Sequence, residues 1–302
     1  MRDCTLIIVR PMRAPRGMSM SEPRDGQQRM TLADPCTCGS GLRVIDSCFK
    51  SIDTQPPPPK THYSHRKCFA RALGDCSKSI SREHFFSQGV LELVGETLHV
   101  SAPCFRPDGK SLKATALASN ILCTRHNNAL SPLDALAKKF FRFALGRTEH
   151  EALIIRGTDL EKWLLKLMCG LIATGHGETS TGVKIVGLQP PLAALHTLFG
   201  ALDLPPGGGL RVLEKPGRSL VDAMSVHILA SETQAEGVAV RLKYVELLFT
   251  IPPLPDKLDD GTRLHYRPSS VGIDLDGVYR EVHLGWPEGN HVGLRFNLQR
   301  GG

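Results

Sequence analysis

Apolar positions recur at two periods along this chain, and each period marks its own kind of element. In "LDALAKKFFRFAL", Leu133, Leu136, Phe140 and Phe143 fall three or four apart, the spacing of one helix face. Ser131-Pro132 mark the expected start of that helix. "DLEKWLLKLMCGLIATG" is apolar nearly all round, which predicts a buried helix capped by Asp159 and closed by Gly175. "PPLAALHTLFGAL" predicts another helix. Strands are predicted for "LHVSAP" and, between Val226 and Ile251, for "VHILAS" and "VAVRLKYVELLFTI", with more in "SVGIDLDGVYREVHLGW" and "HVGLRFNL". "RPDGKS" reads as a turn, and "DLDG" at 274–277 as a hairpin turn. The expected class is α+β, with one antiparallel sheet in the C-terminal half.

Composition adds bounds to this picture. The chain has 302 residues, 41% hydrophobic and 22% charged, enough apolar content for a real core. Lys and Arg outnumber Asp and Glu by 37 to 30, a net +7 that mildly favours a polyanionic partner. No run reaches the ~18 apolar residues of a membrane span. "WLLKLMCGLIATG" is interrupted by Lys166 and fits a buried helix. "MRDCTLIIVRPMR" is too short in its apolar part for a secretory signal, so the expected location is cytoplasmic, with no membrane partner. Residues 1–33 read as a flexible leader, 34–50 as a compact knuckle, and 51–62, with "QPPPPK", as a stiff Pro-rich linker. A unit over 63–147 follows, then an α+β domain of unknown role over 148–302. "LPPGGGL" lacks the Lys-Ser/Thr of a phosphate loop.

Nine cysteines, an odd number in a chain without an export signal, argue for metal ligation over disulfides. The first cluster is "CTCGSGLRVIDSC", where glycines let backbone amides turn toward thiolate sulfurs. It resembles the SEC-C zinc motif, which implies Cys36, Cys38 and Cys48 as zinc ligands. Ser47 stands where a further ligand is usual, so the fourth must come from elsewhere, with His62 and His65 as candidates; the other reading is a decayed knuckle without metal.

The second constellation is "HRKCFARALGDCSKSISREHFF" with "SNILCTRHNNALSPLDALAKKF". Together these resemble an HNH-family endonuclease. The resemblance implies a zinc-stapled ββα-metal fold over 63–147, with DNA as substrate and RNA left open. It implies His84 as general base, Asn120 as the group that orients it, and Glu83 and Asn127 as ligands of a catalytic Mg²⁺ or Mn²⁺, with Asn128 as the alternative to Asn127. Cys68, Cys76, Cys123 and His126 become the structural zinc set, with His65 in reserve because seven residues separate Cys68 from Cys76. Arg82, Arg125, Lys138 and Lys139 become candidate phosphate contacts, although the two lysines also fit a solvated helix face. Members that cut both strands often act in pairs, which makes a homodimer a partner expectation.

The residue types suit that chemistry. Histidine titrates near working pH and can take a proton from water. Carboxylate and amide oxygens suit hard cations, while thiolates and imidazole suit zinc. This sequence departs from the family pattern in two ways: Asn127 stands where histidine is usual, and 38 residues separate His84 from Cys123. Strict alternation sends Glu83 and His84 to opposite strand faces, so a shared site requires the strand to end or bulge there. The rival expectation is a non-catalytic zinc-stabilised module that binds nucleic acid or protein.

Overall fold

Among the described residues, fourteen strands and four α-helices follow one another along the chain. The computed structural model describes residues 5–9, 32–36, 41–47, 49–84, 86–102, 106–175, 189–214, 223–230, 234–242, 245–254, 261–275, 278–287 and 293–298. The N-terminal part holds β1 (Thr5–Val9), β2 (Ile80–His84), α1 (Gln88–Val94), β3 (Thr97–Ala102), β4 (Arg106–Lys113), β5 (Ala118–Cys123) and α2 (Thr124–Ala144). Then come β6 (Ala152–Arg156), α3 (Gly157–Thr174), α4 (Leu192–Leu198), β7 (Gly209–Glu214), β8 (Ala223–Ala230), β9 (Ala235–Leu242) and β10 (Val245–Thr250). β11 (Arg263–Tyr266), β12 (Ser270–Leu275), β13 (Val278–Gly285) and β14 (Gly293–Leu298) close the chain.

The class is α+β, and the described strands form three sheets, where one antiparallel sheet was expected in the C-terminal half beside the strand pair of 63–147. The largest has the order β11-β7-β10-β9-β8-β1-β3-β4 and is antiparallel throughout. A four-stranded mixed sheet, β14-β12-β13-β6, pairs β12 with β14 and β13 with β6 in parallel. β2 and β5 make a separate antiparallel pair. The hairpin expected at "DLDG" is present: β12 and β13 are antiparallel, with Leu275 opposite Val278.

Two expectations are corrected by edge and tertiary pairing. "RPDGKS" is most of strand β4, which lies at the sheet edge, where a proline without an N–H is tolerated. The segment expected as a flexible leader supplies β1, whose "TLIIV" pairs with both β3 and β8. β1 therefore joins strands from either side of residue 147 into one sheet. A single buried cluster likewise runs from Cys68 to Trp286, so the boundary expected at 147/148 passes through a core.

The helices explain that continuity. Of the 18 residues of α3, 14 are buried, as expected of a helix apolar all round. Gly175 closes it in the left-handed conformation at φ 68°. Asp159 lies three residues in rather than at the cap, and its carboxylate accepts the Ile52 N–H at 3.1 Å. The segment 51–62 is thereby held against the body. α3 also packs on α2 through Trp163, whose ring meets Phe141 at 5.5 Å and Phe86 at 5.9 Å, both edge-on.

α2 begins at Thr124, well before the expected start at Ser131-Pro132. Pro132 sits inside it, where a missing N–H leaves the Asn128 carbonyl without its helical donor. The Ser131 hydroxyl donates to that carbonyl at 3.1 Å. This local substitution lets the helix continue. No helix among the described residues is long and apolar enough to cross a membrane.

A candidate metal centre and the polar site beside it

Cys68 and Cys76 lie in the loop before β2, Cys123 ends β5, and His126 falls in the first turn of α2. All four are buried, and their ligand atoms lie within 4.8 Å of one another. His126 Nδ1 faces the three sulfurs at 3.5 Å (Cys68), 3.8 Å (Cys76) and 3.2 Å (Cys123). Tetrahedral zinc with Zn–S near 2.3 Å and Zn–N near 2.0–2.1 Å places nitrogen and sulfur about 3.5 Å apart. The observed distances bracket that value. The four residues can hold a metal ion, and the donor set is consistent with zinc. Cys68 joins the group despite the wide gap to Cys76, and His65, held in reserve, is not one of its members.

Backbone amides support the sulfurs. The Ser77 N–H donates to Cys123 Sγ at 3.4 Å, and the His65 N–H donates to Cys76. A hydrogen bond from the Cys68 thiol, aided by His126, holds the Cys123 thiol far below its ordinary pKa. The same bond, with burial, pushes Cys68 up. On its outer side the His126 ring meets Phe199 at 4.8 Å, so the residue that follows α4 covers the cluster.

Of the SEC-C-like residues, Cys36 is described. It is buried with Val44 and Ile154, its N–H bonds the Leu42 carbonyl at 2.8 Å, and Pro35 bridges Arg43. Cys38 and Cys48 lie outside the described residues. Among the described residues, Cys68, Cys76, Cys123 and His126 form the one group able to hold an ion.

Next to this cluster, β2 and β5 carry the Glu83-His84 pair. Ser81 lies opposite Leu122 and Glu83 opposite Ser119, so Arg82 faces both Asn120 and Ile121. β5 thus carries one extra residue opposite Arg82, while Glu83 and His84 stay in regular register opposite Ser119 and Ala118, and β2 ends at His84. His84 ends β2, and the first turn of α2 lies against β2, because Asn127 Nδ2 donates to Ser81 Oγ at 2.8 Å and Asn127 also donates to Glu83.

Glu83 is 6% exposed and meets Lys166 Nζ at 2.6 Å. Lys166, from the middle of α3, also meets Asp134 Oδ2 of α2 at 2.5 Å. Asp134 accepts the Ser87 hydroxyl, and Trp163 Nε1 donates to Ser87 Oγ at 2.7 Å. The result is a buried polar chain from Trp163 through Ser87, Asp134, Lys166 and Glu83 to Asn127. One ammonium stands between two carboxylates. Burial raises the Glu83 pKa against the pull of Lys166 and Asn127. Burial opposes the Lys166 charge, but Asp134 and Glu83 outweigh it and its pKa is raised.

His84 is half-buried. Burial lowers its pKa, and the Arg82 guanidinium lowers it further, while a hydrogen bond to the Thr115 carbonyl and the nearby Asp134 work the other way. Asn120, expected to orient the ring, is exposed on β5. His84 Nε2 is buried without a hydrogen-bond partner among the described residues.

The basic residues divide. Arg125 is engaged: it pairs with Asp75 at 3.1 Å and donates to the carbonyls of Pro57 and Pro59, tying the Pro-rich segment to α2. Lys138 pairs with Glu92 at 3.4 Å on the surface, and Lys139 flanks it on α2. Arg82 is exposed beside His84, 3.5 Å from the Thr115 carbonyl. Asn128 is exposed and its carbonyl serves the helix.

A divalent ion at Glu83 does not fit this arrangement. Glu83 is surrounded by N–H donors, Lys166 and Asn127, and Asn127 turns its amide N–H groups, rather than an oxygen, toward the carboxylate and Ser81. Asp134, Ser87 and Lys166 were not identified as site residues from sequence. The one signal was Lys166 interrupting the apolar run "WLLKLMCGLIATG", since a buried charge requires partners. The chain matches no family model, no curated protein and no solved structure.

Proposed function

We propose that this protein hydrolyses phosphodiester bonds of nucleic acid at a metal-stapled strand–strand–helix unit of HNH type, with His84 taking the proton from water. One observation carries the reading. His84 closes β2, half-buried, and its Nε2 is buried without a hydrogen-bond partner among the described residues. An orphaned buried nitrogen calls for an explanation, and a base awaiting its water is one. The lowered pKa keeps the imidazole neutral, as a base must be. The Cys₃His cluster supports the unit by joining the loop before β2, the end of β5 and the start of α2. The exposure of Arg82, next but one to His84 on β2, supports a role for it as a phosphate contact. Mg²⁺ or Mn²⁺ belongs to the family expectation, but Glu83 and Asn127 as arranged do not suit one, so no step is assigned to such an ion.

The ion pair between Lys166 and Glu83 favours a second reading, a zinc-stabilised module that binds nucleic acid without cutting it. Incubating zinc-loaded protein with supercoiled plasmid DNA and with RNA, under Mg²⁺, Mn²⁺ or EDTA, separates the two. Nicking that His84→Ala abolishes at equal zinc content supports the hydrolase. Retarded mobility without cleavage of either substrate supports the module.

A further inference from the structure

Two carboxylates from different elements, the buried Glu83 of β2 and the partly buried Asp134 of α2, meet one lysine beside the candidate base. A hydrolytic site built on free ions would leave such a pair open to a cation from solvent. Here it is filled from within the chain. We propose that the Lys166 ammonium is the resident cation of the Glu83–Asp134 pair, standing where a divalent ion would otherwise bind, so that the site takes up no Mg²⁺ or Mn²⁺.

Lys166 is 5% exposed, with Leu165 and Leu167 buried on either side of it in α3. A surface lysine can swing aside to admit an ion, whereas this one is held in place by the packing around it. An ammonium has three N–H donors, of which Glu83 and Asp134 take two, at 2.6 and 2.5 Å. An incoming ion would need the same oxygens and would stand against a fixed like charge. Asn127, whose Nδ2 donates to Ser81 Oγ at 2.8 Å, presents its N–H groups to the same strand. Lys166 also lies beyond residue 147, so the charge of the site comes from the part of the chain expected to be a separate domain. The inference rests on the reading of Glu83 and His84 as the head of the site, but its test needs no nucleic acid.

Zinc-loaded full-length protein is titrated with Mn²⁺, and free aquo-Mn²⁺ is counted by electron paramagnetic resonance. The expected result is identical Mn²⁺ uptake by wild type and Glu83→Gln. Lys166→Ala should gain one equivalent, which Lys166→Ala/Glu83→Gln loses. One equivalent bound by wild type and lost in Glu83→Gln would overturn the proposal. So would a folded Lys166→Ala that gains none, because the pair would then be no cation site. If Lys166→Ala does not fold, wild type against Glu83→Gln and against Asp134→Asn decides: uptake that neither substitution reduces upholds the proposal, and a loss in either overturns it. Failure to nick plasmid, by contrast, bears only on the hydrolase reading.

Discussion

Withdrawing the metal from the Cys₃His cluster should open one part of the molecule and leave the rest closed. The perturbation is chelation of zinc-loaded protein, or Cys76→Ala. Structural zinc in short peptides binds with about 10–16 kcal/mol, and the weak end of that range corresponds to a Kd near 50 nM. At about 10 µM free zinc, roughly two hundred times that Kd, binding adds about 3 kcal/mol to any state that must release the ion to open. Amide exchange in such a segment should therefore speed up about two-hundredfold when zinc is removed. The segments concerned are 63–84 and 118–127, because β2 and β5 form only a two-stranded pair, and such pairs are marginal alone. The remainder of α2 is anchored independently by Leu130, Leu133, Phe140 and Phe141, all at most 1% exposed. α3 and β8–β10 should keep their protection. Hydrogen exchange by mass spectrometry, with zinc stoichiometry measured in parallel, reads both. Equal exchange with and without zinc, or no zinc bound at all, would refute the reasoning.

Lys166→Met should lower stability by about 3–5 kcal/mol, because it strands the buried Glu83 and partly buried Asp134 charges without a cation; a urea midpoint shift equivalent to under 1 kcal/mol would count against the pair. Asp75→Asn should cost about 1.5–3 kcal/mol through the lost charged hydrogen bonds to Arg125 and the Thr61 N–H. Burial opposes the Asp75 charge, but those donors hold its pKa below the usual value, so its contribution is complete above about pH 4 and disappears as pH falls through the folded value. Acid denaturation of wild type and Asp75→Asn should accordingly converge at low pH. The His84 pKa is depressed, so between the folded value and about 6.5 the unfolded chain binds more protons, and the stability tied to neutral His84 rises with pH until it is complete above 6.5. For the hydrolase, the acid limb of a nicking profile should fall below pH 6.5; a limb above it would exclude His84 as the base.

Legibility in the sequence followed the range of each interaction. The Cys₃His group was readable because soft donors are few and two of them, Cys123 and His126, lie three residues apart. The α3 helix and the β12–β13 hairpin were readable because their signals are local. Asp134 and Ser87 gave no signal, since an aspartate on a helix and a serine before one are ordinary until tertiary packing brings Lys166 between the carboxylates. Local signals also misled. Pro132 reads as a helix start, yet the Ser131 hydroxyl repairs the carbonyl that it leaves. Pro107 and Gly109 read as a turn, yet an edge strand accommodates them. "TLIIV" is too short to declare itself a strand, and its partners in β3 and β8 lie far along the chain.

The same distinction decides what a minimal fragment can be. Residues 63–147 contain every residue that the family resemblance named for the zinc set and the hydrolytic site, which invites their expression alone. The contacts argue otherwise. Phe199 covers the outer face of His126, Trp163 holds Ser87 and packs on Phe86 and Phe141, and Lys166 balances Glu83 and Asp134. A chain ending at 147 would lose all three. It would expose two phenylalanines and leave two adjacent carboxylates without their cation, and removing one partner from a buried charge pair costs more than the pair contributes. Inactivity of that fragment would therefore report its folding, not its chemistry. The full chain with single substitutions at His84 or Glu83 asks the chemical question while leaving α3 in place.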